Sequence, residues 1–430
     1  MLKNILPLRS GLARHHQILD KVLKLRPLKL FIFGYWHDEG WKGFVGATVK
    51  LWDLATNMAR FGHDVFLFVP RYEFAEDNPH IQLVRIPLLD LPFLRSLSFS
   101  FFLIMFLIWY HFKCRPDVVY IRRGISIVPA IFAILRQALL MYEVNDDPYA
   151  YATRHAQSKG ILTHFERRLA IRTEELILSW CDAAFVITRD IRHKIIQHLP
   201  LINTAKIHVV PSGANTELYR PIDQGFCRSK LNMDSSRKYI GFIGTLLEHQ
   251  GVNILIDAAP FVLQTFPNAC FVVIGEGPMK EAWIRRVHEL VLQEHFVFTG
   301  QIDYEQSPLW INAMDVCTAP FSIRAGLRSP VKIFDYLACG KPVVASRIPG
   351  TTDIFAESGA VLLVEPEHKN ELATAIVDIL TNVEKAHDMG LKGRRFVETQ
   401  YDRKLLAKKV EEVAYALEEA KEKLSPLESV

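Results

Sequence analysis

The stretch Ser329–Ser346 reads SPVKIFDYLACGKPVVAS and holds a whole short helix followed by a strand. Ser329 is a good N-cap, and Pro330 suits the first turn, where its missing N–H costs nothing. Val331, Phe334, Leu337 and Ala338 recur at helical spacing. Gly340 fits the left-handed position that ends a helix, and Pro342 forbids continuation. Val343, Val344 and Ala345 then form a short strand of the buried kind. Arg328 and Lys332 flank the amino end of this helix, where the dipole repels cations and attracts anions. An anion seated between them accounts for the pair, and phosphate is the usual guest. Plain solvation of a Lys and an Arg on an ordinary helix accounts for them too, and charge alone does not choose. Asp335 follows about one turn later, within reach of something attached to such a phosphate, as a ribose would be.

Around this stretch the chain alternates strands and helices. Leu28–Trp36 reads as a first buried strand, followed by a loop with Gly40, Gly43 and Gly46, a helix from about Ala47 to Arg60, and a second strand, VFLFV. Repeating that βαβ unit gives a parallel sheet. The glycine loop is not a strict GxGxxG and is weak evidence for a dinucleotide. Ile81–Ile86, Asp117–Arg122, Leu139–Val144, Cys181–Thr188 and Ile207–Pro211 continue the strand series. Glu143, Asn145, Asp146 and Asp147 cluster at the end of one of these strands, and open α/β sheets place ligands at strand carboxyl ends. A helix from about Thr163 to Trp180 reads as a solvated face. The loop PSGANTELYRP, Pro211–Pro221, reads as a linker, after which a second series of strands and helices begins at Lys238. Phe396–Lys423 reads as one terminal helix of mixed charge that packs back across both halves.

Two segments stand apart. Met1–Lys29 carries seven cations against Asp20 alone, a net +6, while the whole chain is only +4. Its part before the first strand, Met1–Pro27, is either a frayed tail or an amphipathic helix on an anionic membrane surface. Leu97–Tyr110, LSFSFFLIMFLIWY, has no charge and is apolar all round. As a helix it spans roughly 21 Å, short of the roughly 30 Å of a bilayer core. It is either a core helix or one that dips into a single leaflet with basic flanks on headgroups.

With 430 residues, two domains are expected, and the low net charge does not indicate a nucleic-acid partner. The six cysteines are scattered, without CxxC pairs or metal-like spacing, as buried reduced thiols in a reducing compartment would be. No metal site is expected, and no secretory signal, because the basic residues near Met1 are not separated by a continuous apolar run.

From about Lys206 to Ala416 the chain resembles the group-one (family 4) glycosyltransferases. The residues that carry the resemblance are VPSGANTELYRP, FIGTLLEHQGVNILIDA, ACFVVIGEGPMKEAW, FTGQIDYEQSPLWINAMDVCTAPF and SPVKIFDYLACGKPVVAS, in the family's order. The first half is similar through GFVGATVKLWDLATNMARFGHDV. The resemblance implies an α/β, B-type fold of two facing Rossmann-like domains with a carboxyl-terminal helix crossing back to the first. The expected parts are a basic extension at 1–27, an acceptor-side domain at 28–208, a nucleotide-sugar domain at 209–395, and the crossing helix and tail at 396–430. Asp335 falls where the family places a ribose-binding glutamate. The backbone of Ala325, Gly326, Leu327 and Arg328 would meet the donor, Gly244, Thr245, Gln250 and Gly277 would border its pyrophosphate, and Ile302 would contact the base. Gly43 and Gly46 would face the donor phosphate from the other domain.

The sequence also departs from the family's pattern. Thr245 and Gln250 stand where Arg and Lys usually stabilise the leaving diphosphate, Leu327 stands for the first motif glutamate, and Asn145 for a catalytic histidine. Arg328 and Lys332, with Arg324, are the available replacement cations, and Asn145 and Asp146 the groups that would orient an acceptor. The resemblance implies a retaining, nucleotide-sugar-dependent hexosyltransferase without cofactor, acting in cell-surface polysaccharide or glycolipid synthesis. Its acceptor would be a glycan or lipid-linked glycan, and its location the cytoplasm, at the inner face of the plasma membrane if 1–27 and 97–110 touch lipid. The departures leave open a catalytically weakened partner subunit or nucleotide-sugar sensor, and the fold also admits a nucleotide-sugar 2-epimerase.

Overall fold

The computed structural model describes residues 26–34, 46–70, 78–89, 94–122, 126–149, 161–323 and 330–424. Strand β1 (Lys29–Phe33) is followed by helix α1 (Gly46–Arg60), β2 (Asp64–Pro70), β3 (Ile81–Ile86), α2 (Leu94–Lys113), β4 (Val118–Arg122), α3 (Val128–Arg136) and β5 (Leu139–Val144). Then come α4 (Ile161–Trp180), β6 (Ala183–Val186), α5 (Arg189–His198) and β7 (Ile207–Val209). Their sheet has the order β3-β2-β1-β4-β5-β6-β7 with every neighbouring pair parallel. The strands alternate between two buried faces, as parallel strands covered on both sides must. Phe31 and Phe33 point into one core, Leu30 and Ile32 into the other. Phe31 lies in register with Phe66 and Val119, and its ring meets Tyr110 of α2 at 5.6 Å and Phe132 of α3 at 6.1 Å between centroids.

The second sheet contains β8 (Tyr239–Ile243), β9 (Cys270–Ile274), β10 (Phe296–Gly300), β11 (Val316–Ala319), β12 (Val343–Ser346) and β13 (Val361–Val364). Helix α6 (Val252–Thr265) follows β8, and α7 (Val331–Ala338) precedes β12. The order is β10-β9-β8-β11-β12-β13, again all parallel. The chain is therefore an α/β protein with two Rossmann-like sheets. Their carboxyl edges face one another: Arg189, just past β6, donates its backbone N–H to Asp353 Oδ2 at 3.2 Å, and Asp353 lies just past β12.

Two expectations need correction, and the structure refines a third. The terminal helix is broken. Helix α8 (Val383–Phe396) ends in a wide π-turn at Val397–Tyr401, and α9 (Arg403–Leu424) starts afresh. The turn exists because Val397 is fully buried and the Tyr401 ring packs on Phe334 at 5.2 Å, anchoring this segment in the second domain. Only α9 crosses, burying Leu406, Val410 and Ala414 against the β1 face of the first sheet. The two passes of chain between the domains are hydrogen-bonded side by side, Ala214 N to Tyr401 O at 3.0 Å and Arg403 N to Ala214 O at 2.9 Å. Helix α4 is only partly solvated, for it buries Glu174, Ile177 and Leu178. Helix α2 is neither wholly core nor wholly free. Phe99, Leu103, Leu107 and Tyr110 are buried, while Phe101, Ile108 and Trp109 on the other side are more than half exposed.

Of the basic lead-in, Arg26 and Pro27 lie within the described residues. Arg26 donates to Asp117 at 3.1 Å and pairs with Glu418 of α9. The six cysteines are unpaired, five of them buried. No described helix is long and apolar enough to cross a membrane.

Candidate functional site

The α7 helix begins without a side-chain cap, with Pro330 in the cap position; Ser329, expected there, lies outside the described residues. Gly340 closes the turn at φ +69°, the left-handed conformation expected of it. Tyr336 fixes the helix to the sheet: its hydroxyl accepts the Ile243 N–H at 2.8 Å and donates to Thr318 O at 3.4 Å. Lys332 stands one turn earlier on the same side. Its ammonium therefore points at the loop that leaves β8. There Nζ donates to Gln250 Oε1 at 2.7 Å and lies 3.7 Å from the centroid of Phe242. A Cβ on Gly244 would come within 2.8 Å of the same Nζ, so the glycine makes room for the cation. Burial pushes the Lys332 pKa well below the ordinary lysine value. The cation is partnered by a neutral amide and an aromatic face, an arrangement that an arriving anion would improve.

Asp335 sits almost one turn along α7, on a neighbouring face. It is buried, and its Oδ1 has no hydrogen-bond partner. Arg403 Nη2 of α9 is 3.9 Å from that oxygen, an ion pair but not a hydrogen bond. Burial, helped by nearby Asp53 and opposed by Arg403, raises the Asp335 pKa to about 7. Arg403 is itself ion-paired with Asp53 of α1 and lies 3.4 Å from the Tyr304 hydroxyl. Arg403, Asp53 and Tyr304 were not singled out in the sequence. Arg403 opens a helix rich in cations, Tyr304 lies in a short turn and Asp53 shares its helix with Lys50, so nothing in their local sequence sets them apart.

On the first domain, the strand-end cluster is real but inward-looking. Lys50 of α1 pairs with Glu143 Oε1 at 2.5 Å. Burial would raise the Glu143 pKa, but Lys50 and Arg122 outweigh it and hold the carboxyl below its usual range. The Asn145 amide donates to Glu143 Oε1 and accepts from Arg122 Nε, both at 2.8 Å. The Asp146 carboxylate accepts the backbone N–H of Asp147 at 2.9 Å. Asn145 is thus held by this network, so its placement supports a positioning role rather than a direct acceptor contact. Lys50, Tyr120, Glu143 and Arg403 share the wall of a cavity of about 30 Å³, which joins this cluster to the start of α9.

The structure brings Gly244, Gln250 and Lys332 together and places Thr245 in the same loop. At Gly277 a Cβ would lie 2.6 Å from Leu246 O and 2.7 Å from Leu246 N, so the glycine lets the β9 turn lie against the β8 loop. Ile302 follows β10 with its side chain packed on the second-domain core, which leaves its backbone as the part available to a ligand. Gly46 is the first residue of α1. Gly43, Ala325, Gly326, Leu327 and Arg328 lie outside the described residues. Among the described residues no group of three His, Cys, Asp or Glu side chains is arranged to hold a metal ion.

Residues 45–218 match the family model described as Glycosyltransferase Family 4, and residues 237–382 match the one described as Glycosyl transferases group 1. A GDP-mannose-dependent alpha-(1-6)-phosphatidylinositol monomannoside mannosyltransferase of Mycolicibacterium smegmatis is 28% identical over 198 residues, 45% of this chain and 52% of that protein. The chain spans about half the length of the curated relatives of this kind that it matches. Among solved structures, a sucrose-phosphate synthase from Thermosynechococcus elongatus superposes over 92% of this chain and 100% of its own, with TM-score 0.74 and 19% identity. Anabaena HepE, solved with UDP and glucose, covers 90% of this chain and 98% of its own, with TM-score 0.68 and 18% identity. With two family models in chain order along its two facing sheets, the chain belongs to the group-one glycosyltransferases of the B-type fold.

Proposed function

We propose that the chain transfers a hexosyl group, with retention, from a nucleotide sugar to a glycan or lipid-linked acceptor in cell-surface polysaccharide or glycolipid synthesis. The observation that carries this reading is the convergence of Lys332, Gln250 and Gly244 at the uncapped amino end of α7, with the orphaned Asp335 carboxylate one turn away. The diphosphate of the donor sits against Lys332 and the α7 backbone N–H groups, and the ribose hydroxyls donate to Asp335 Oδ1. Glycosyl transfer depends mainly on stabilising the departing diphosphate and on positioning, and a preorganised cation and helix end supply both. The acceptor proton passes to the donor phosphate on the same face of the sugar, which gives retention without a strong side-chain base. The mannosyl- and glucosaminyltransferases among the relatives, and the UDP held by HepE, support a nucleotide-sugar donor.

Incubation of the chain with UDP-, GDP-, ADP- and TDP-sugars and membrane extract is expected to yield, from one donor, a product of unchanged anomeric configuration. The substituted diphosphate-loop cations and the engaged Asn145 favour a second reading, a partner subunit that binds a donor without turning it over. Nucleotide binding without product from every donor, together with normal glycan in cells carrying Lys332→Ala but not in cells lacking the chain, would establish that second reading instead.

A further inference from the structure

Helices α2 and α3 lie side by side on one face of the first sheet, and both are apolar on the side turned away from it. On α2, Leu97, Phe101, Ile108 and Trp109 are each more than half exposed, and Phe112 is 84% exposed. On α3, Leu135 is 73% exposed, with Ile131 and Ile134 beside it. No described residue covers these side chains. A helix that is apolar all round is otherwise found buried or in lipid, and α2 needs only its Phe99–Leu103–Leu107 stripe for the core. Between the two helices runs an apolar groove of about 400 Å³, floored by Leu107 and Phe132.

Charge identifies what this face fits. The described cations of this face are Lys113, Arg115 and Arg136, with Asp117 the acid near them in the chain. Lys113, Arg115 and Arg136 gather at the carboxyl ends of the two helices, with Arg115 donating to Arg136 O at 3.1 Å and Lys113 lying 4.4 Å from the Trp109 ring. An exposed tryptophan and lysine at the rim of an apolar face form the pattern of an interfacial anchor, and the cations match anionic headgroups. A protein partner of ordinary composition would bring no such need for a one-signed rim.

We propose that the α2–α3 face seats on an anionic lipid leaflet, with the groove between the helices taking a hydrocarbon chain. Both helices begin at the carboxyl edge of the sheet, the edge that bears Arg122, Glu143 and Asn145 and faces the second domain. The cations that meet headgroups lie at the other end of the two helices, away from that edge, so the seating does not rest on the proposed glycosyl transfer.

The test is flotation of the full chain, without donor, on vesicles of phosphatidylcholine alone and of phosphatidylcholine with phosphatidylglycerol. The chain is expected to float with the anionic vesicles, less with the neutral ones, and to be released by added salt. The triple variant Phe101→Ser, Ile108→Ser, Leu135→Ser is expected to bind at least about tenfold more weakly, because fewer apolar groups leave water. Lys113→Glu with Arg115→Glu is expected to lose the preference for anionic vesicles. Circular dichroism and UDP or GDP binding, read alongside, should stay unchanged because all five positions are solvent-facing. Failure of the wild type to float on either vesicle, equal flotation of the triple variant, or a sedimenting dimer that the triple variant dissociates would overturn the proposal. Flotation without turnover of any donor would leave it standing and count against the enzymatic reading alone.

Discussion

At the residue scale, Lys332 and Asp335 show how one short helix carries two kinds of strain on charge. Lys332 is a cation in a place that disfavours cations. Lys332→Ala is expected to lower kcat by about 10²-fold, the usual consequence of removing one preorganised charge-stabilising group, with steady-state transfer assays as the check. It should not unfold the protein, since no buried anion loses its partner. The sign of its pH effect follows from linkage. The lowered folded pKa means that the unfolded chain binds more protons between that value and the ordinary lysine value of about 10.4. Stability therefore rises with pH through this window, and Lys332→Met should flatten the rise in chemical denaturation series. Asp335 works the other way, its carboxyl titrating near pH 7 in the absence of a ligand. Because ribose hydroxyls need the ionised form as acceptor, donor affinity should fall by up to about tenfold per unit as pH drops below 7. Calorimetric titration of UDP or GDP from pH 8 to 6 checks this, and Asp335→Asn should bind weakly at every pH.

At the scale of elements, the same residue type does different work in neighbouring loops. Gly244 clears space for the end of a flexible side chain, while Gly277 lets two backbones touch. Gly244→Ala is accordingly expected to displace Lys332 and lower activity, with a smaller loss of melting temperature than Gly277→Ala, that loss coming from a side chain held at φ +148°. Gly277→Ala is expected to destabilise the fold by about 1–3 kcal/mol, because backbone atoms of Leu246 cannot swing aside. Thermal melts and transfer assays on the two variants separate these outcomes. The elements themselves were largely legible: apolar residues at helical spacing, Pro330 and Gly340 mark α7, and short continuous apolar runs mark the strands of both sheets. The terminal helix was misread because Phe396–Leu424 keeps a helical pattern straight through Val397–Tyr401. The break comes from the burial of Val397 and Tyr401 against Phe334, a contact some sixty residues away in sequence.

At the scale of the whole molecule, Arg403 is the contact that ties α1, α7 and α9 together through Asp53 and Asp335. Arg403→Ala leaves Asp53 buried with a charge and no cation, and is expected to cost about 3–5 kcal/mol in urea denaturation. It should also move the Asp335 titration upward, so that donor binding weakens at a higher pH than in the wild type, since Arg403 is the group that opposes burial there. A shifted midpoint would distinguish this electrostatic coupling from a loss of packing alone.

By itself, the sequence determined the local structure and the family: strand and helix spans, the glycine and proline stops, the order of the motifs, and a cation and a carboxylate on one short helix. Those are properties of neighbours along the chain, set by backbone sterics and the period of apolar residues. Only the tertiary structure decided that Lys332 faces Gln250 and Gly244, that Asn145 is engaged by Arg122 and Glu143, that an arginine from the last helix reaches Asp335, and that α2 buries one stripe and leaves the other open. Each of these depends on which distant elements share a face. Burial and charge pairing act through space between those elements, and the spacing of residues along a chain does not encode them directly.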